Sequence, residues 1–112
     1  MKKATFRFKY KNKKINLKVN ICNNTFSQAR GLMFRKKSLP LLFIFKTTKK
    51  RAIHSFFCEP FIAIWFNENK IIKIKDIKKP NFHIIPDDKF DKLLEISANN
   101  QEYKLFADEE KV

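Results

Sequence analysis

His54 is the residue of this chain best placed to do chemistry. It stands in a strand-like run, close after Arg51 and ahead of Phe56 and Phe57, and alternation puts Phe56 on its face. A neutral imidazole there can accept a proton or hold the edge of a phosphate. The position suits a half-buried strand histidine bonded to backbone better still. Arg35 and Arg51 bring guanidinium groups able to grip an anion, so one reading is a small-ligand or enzymatic pocket near Arg35, Arg51 and His54. A structural role for Arg35 would pair it with a backbone carbonyl or with Glu95. His83 lies in a looser segment.

No catalytic constellation follows from these residues. Nucleophilic catalysis needs a Ser or Cys with a base and an orienting group. Cys58 is four residues from His54, which on a strand is about 13 Å, so the two meet only if the chain bends sharply at Glu59-Pro60. Cys22 and Cys58 form no C-x-x-C pair, and two His complete no zinc set, so both cysteines are expected to be small buried hydrophobes. Asp87 and Asp88 read as a solvated turn. A single glycine, Gly31, cannot build a phosphate-cradling loop. Neither a metal nor a cofactor is called for.

The charge is more informative. No acidic residue precedes Glu59. The first 58 residues carry 12 Lys and 4 Arg, hence +16; the remaining 54 carry 9 Lys against all 11 acids, hence −2, for a net +14. Half of the chain attracts polyanions and repels cations. Lys9, Lys11, Lys13, Lys14 and Lys18 belong to one hairpin, and Lys36, Lys37, Lys49 and Lys50 to two other loops, with Arg51 beside them. On one edge these form a patch that binds phosphates without sequence choice, and RNA is the first partner to consider. An acidic protein is another. Two features temper this reading. Lys, Ile, Asn and Phe make up about half of the chain, and their AT-rich codons raise Lys for reasons unrelated to binding. Lys outnumbers Arg 21 to 4, and Arg is the better phosphate reader.

The elements that must position these residues are short strands within one domain spanning residues 1–112. Phe6, Phe8 and Tyr10 alternate with Thr5, Arg7 and Lys9, and Ile15, Leu17, Val19 and Ile21 alternate with Asn16, Lys18 and Asn20, so 5–10 and 15–21 read as a hairpin with the apolar sets inward. Thr25 with Gln28 fits a capping box for a short helix near residues 26–33. Further strands are expected at 41–45, 52–57, 61–66, 70–77 and 93–96, with another at 103–106 and a basic turn at 46–51. Asn12, Asn23, Asn24, Asn67, Asn69 and Asn99 are placed to replace glycine in turns. The longest apolar runs fall far short of the roughly 18 to 20 residues of a membrane span, and no signal peptide is visible, so a cytoplasmic protein without a membrane segment is expected.

Four segments carry a family resemblance. Gly31-Leu32-Met33-Phe34-Arg35 resembles the Gly-Leu-Met-x-Arg signature of the DUF192 (UPF0127) proteins. Leu42-Phe43-Ile44-Phe45 is similar to the strand that follows it. Ile53-His54-Ser55-Phe56-Phe57 resembles the archaeal-type Ile-His-x-Phe-Phe, and Leu93-Leu94-Glu95-Ile96-Ser97-Ala98-Asn99 the closing Val-Ile-Glu-Leu-Pro-Ala-Gly. The resemblance spans about Thr25 to Asn99. It departs at Ala63, where the family commonly has Asp, and at Asn99, where Asn would replace Gly in a left-handed position. It implies a mainly β (α+β) domain, a curved antiparallel sheet or partly open small barrel with one short helix. It implies no activity, because the family's function is unknown.

Overall fold

The computed structural model of this protein describes residues 2–22, 39–49, 60–78 and 89–106. They build one open six-stranded sheet: β1 Lys2–Tyr10, β2 Lys13–Cys22, β3 Leu41–Lys49, β4 Phe61–Asn67, β5 Lys70–Ile77 and β6 Phe90–Ser97, in spatial order β1-β2-β3-β6-β4-β5. The mainly β class expected from the sequence is what the structure has. All neighbours are antiparallel except β2 and β3, which pair in parallel from Asn20–Leu41 to Cys22–Phe43, extended by the Asn20 N–H donating to the Pro40 carbonyl at 2.9 Å. The helix expected near 26–33, the strand at 52–57 and two of the four family-like segments, 31–35 and 53–57, lie outside the described residues.

The first hairpin follows its alternation. Phe6, Phe8, Leu17 and Val19 are buried and Thr5, Arg7, Asn16 and Lys18 exposed, with Phe6 opposite Leu17 and Phe8 opposite Ile15. Its turn is the two-residue Lys11-Asn12, both left-handed at φ 51° and 64°. The β4–β5 turn repeats the device with Glu68-Asn69 at 52° and 65°. Such turns match strand twist and favour Asn, which tolerates the left-handed region.

The central strand β4 is an unbroken apolar run because both its faces are covered. Ile62, Ile64 and Phe66 join one core with Phe6, Phe8, Leu17, Val19, Leu94, Ile96 and Phe106. Phe61, Ala63 and Trp65 join a second with Leu41, Phe43, Phe90 and Leu93. β5 reaches both cores through a bulge: Trp65 faces Lys73 but Phe66 faces Ile71, so Ile72 is the extra residue. The bulge sends Ile71 and Ile74 to the first core and Ile72 and Ile77 to the second.

Three local expectations are corrected. Residues 46–49 are not a turn but continue β3, whose pairing with β6 shifts register between Ile44 and Lys49. Residues 103–106 are not a strand: Gln101–Leu105 is a 3-10 turn, its first N–H groups capped by the Asn100 side chain, which accepts from the Glu102 N–H at 3.0 Å. The threefold spacing turns Tyr103 and Phe106 back onto the first core, where a strand would have pointed them apart. Asn99 is not left-handed either; its N–H donates to Ser97 Oγ at 3.2 Å, a local turn any residue accepts.

Candidate functional site

The hairpin packs over β4. Phe66 stands edge-on to Phe6 and Phe8, with ring centroids 5.1 Å away in each case, and Phe106 lies 4.8 Å from the Tyr10 ring. This contact curls the sheet until its two edge strands, β1 and β5, bring Cα atoms within 8 Å of each other without pairing. The seam between them is a cleft of about 740 Å³. Phe8, Tyr10, Ile71 and Ile74 form its apolar part. Arg7, Lys9, Lys11, Lys14 and Lys70 supply the charge, with the amides of Asn16 and Asn69. Among the described residues, no acidic one lines it. Glu68 precedes the lining residue Asn69, and its backbone N–H donates to Asp91 Oδ2 at 3.2 Å.

Strand geometry sets the charge arrangement. Arg7 and Lys9 alternate outward along β1, roughly 7 Å apart, and face Asn16 and Lys14 across the hairpin. Lys9 and Lys14 are therefore directly opposed like charges, a pairing that weakens a hairpin. The Lys11 ammonium sits over the Tyr10 ring, 5.5 Å from its centroid. The eight described cationic side chains of residues 2–22 are all exposed.

Of the expected polyanion residues, Lys9, Lys11 and Lys14 meet at this cleft. Lys13 and Lys18 are exposed on the same hairpin but do not line it. Arg35, Lys36, Lys37, Lys50, Arg51 and His54 lie outside the described residues, as do His83 and Cys58, and so does the side chain of Lys49. Cys22 is buried, as expected of a small hydrophobe. Sequence reading missed Arg7, Lys70 and the apolar part. Lys70 comes from the half of the chain with net negative charge, and only the strand order brings it to β1.

A second feature is buried. Glu95 in β6 stands between Leu41 of β3 and Ala63 of β4, 5% exposed. Burial pushes its carboxyl up to about 8, so it is mostly protonated at neutral pH. The Trp65 indole belongs to the core on this face, and its buried Nε1–H has no acceptor among the described residues.

Comparison with known proteins adds the fold alone. No family model and no curated protein matches the sequence. A protein of unknown function from Novosphingobium aromaticivorans DSM 12444 is similar in structure, with a TM-score of 0.74 and 15% identity, over 85% of this chain and 73% of that one. A candidate transcription regulator from Sinorhizobium meliloti 1021 has a TM-score of 0.71 and 17% identity, over 86% of this chain and 80% of that one. At such identities the likeness establishes the architecture and not the activity. Among the described residues, no helix is long and apolar enough to cross a membrane, and no cluster of His, Cys, Asp or Glu could hold a metal ion.

Proposed function

We propose that this protein is a small cytoplasmic binding module of the DUF192 (UPF0127) type that contacts a polyanion, RNA first, through its β1–β2 hairpin. The observation that carries this reading is the cleft in which Arg7, Lys9, Lys11, Lys14 and Lys70 gather with no acidic residue among the described lining. A high Lys content from codon usage alone would scatter charge over the surface. It would not select a site where five cations meet and Lys9 opposes Lys14. An anion relieves that repulsion and releases the counterions the cations hold. The family segments support the DUF192 type, and the described strands around Leu42–Phe45 and Leu93–Ser97 sit side by side as β3 and β6.

The test is a salt titration of binding to generic single-stranded RNA. Binding that weakens steeply with salt is expected. No binding at about 50 mM salt would exclude the reading. An acidic protein partner would use the same cations, and an acidic peptide that binds while RNA does not would decide for it.

A further inference from the structure

The β1–β5 cleft does more than present charge, because its interior is apolar. Phe8, Tyr10, Ile71 and Ile74 line it alongside the cations, and the cleft, at about 740 Å³, is of the size that holds small organic ligands and far larger than a phosphate requires. We propose that it seats one nucleotide unit of an unpaired strand, with the base against the half-buried Tyr10, Ile71 and Ile74 and the flanking phosphates on the cations. This rests on the polyanion reading and narrows it to single strands.

Two observations favour a nucleotide over other amphipathic anions. First, the cations stand on both walls. Arg7, Lys9, Lys11 and Lys14 are on the hairpin and Lys70 is on β5. A ligand with charge on either side of a flat apolar centre satisfies both walls, whereas an acyl anion carries one charge at one end. Second, Asn16 and Asn69 bring amides that donate and accept, as the edge of a base requires and a hydrocarbon cannot use. A base within a duplex has its face covered by neighbours and its edge taken by its partner, so the cleft is closed to it.

A free nucleotide has the same chemistry as a unit of a strand. The experiment therefore measures binding of the full chain, by fluorescence anisotropy and competition, to a single-stranded oligouridylate, an abasic strand of equal length, an RNA duplex, polyphosphate and uridine diphosphate. The single strand is expected to bind about tenfold or more tighter than the abasic strand, the duplex and the polyphosphate. Ile71→Trp, which fills the cleft, is expected to remove that advantage while polyphosphate binding stays. The abasic comparison needs no variant, so it holds even if Ile71→Trp does not fold. Uridine diphosphate competing as well as the strand supports the ligand class and makes the free nucleotide its source. Equal affinity for all the polyanions overturns the inference and leaves the polyanion reading standing. No binding to any of them overturns both.

Discussion

Lys9 of β1 directly faces Lys14 of β2 across an exposed hairpin face that holds no acidic residue. Directly opposed like charges on neighbouring strands disfavour pairing by a few tenths of a kcal/mol to about 1 kcal/mol. The hairpin tolerates this because its other face buries Phe6, Phe8, Leu17 and Val19, each contributing roughly 1.5 to 3 kcal/mol. Stability and binding therefore make opposite demands on the same two residues.

Lys14→Glu separates those demands. It converts the repulsive pair into an attractive one, so the unfolding free energy is expected to rise by a few tenths of a kcal/mol to about 1 kcal/mol. Affinity for polyanions is expected to fall at the same time. Thermal unfolding and RNA binding measured on the one variant check both directions.

Glu95 makes stability depend on pH with an unusual sign. Its carboxyl titrates near 8 in the folded protein and near 4.5 when unfolded. Below about pH 4.5 both states hold the proton and nothing is lost. Between 4.5 and 8 the unfolded chain gives up the proton and the folded one keeps it, so stability falls as pH rises, by up to about 1.4 kcal/mol per pH unit. Above 8 the loss levels off. Glu95→Gln is expected to flatten this slope, so the variant's advantage in urea unfolding grows from pH 5 to pH 8.

The hairpin turns carry a small strain. Lys11 and Glu68 hold φ values of 51° and 52°, and a residue with a Cβ at such a position costs roughly 1 kcal/mol. Lys11→Gly and Glu68→Gly are expected to stabilise the fold or leave it unchanged, whereas Asn12→Val is expected to destabilise it by about 1 to 2 kcal/mol. Melting temperatures check the series.

Much of the sheet was legible because its strands are locally patterned. Phe6 to Tyr10 and Ile15 to Ile21 alternate with period two, and Asn12 and Asn69 mark the two tight turns. Strand order was not legible. Nothing local says that β6 lies between β3 and β4, or that β1 and β5 become the two edges of one seam. Lys70 and Ile71 are for that reason invisible as site residues until the sheet curls. The 3-10 turn was misread because Tyr103 to Phe106 has strand-like composition, and the Asn100 cap that decides otherwise lies outside that run. The bulge at Ile72 has no signature beyond the irregular spacing of Ile71, Ile72 and Ile74.

The end of the described chain is anchored by Tyr103. Its hydroxyl donates to Asp76 Oδ1 at 2.5 Å, and the Asp76 side chain is only 4% exposed. Tyr103→Phe leaves that carboxylate with Lys78, whose Nζ lies 3.8 Å away, and is expected to cost about 1 to 3 kcal/mol in chemical denaturation.

The most direct test of the account is the salt dependence of single-stranded RNA binding, measured for the wild type and for a variant carrying Arg7→Ala, Lys9→Ala and Lys14→Ala. Five phosphate-neutralising cations predict a log–log slope near about −3.5, and removing three of them predicts a slope shallower by about 2. An unchanged slope in the variant, or no binding by the wild type at about 50 mM salt, would contradict it.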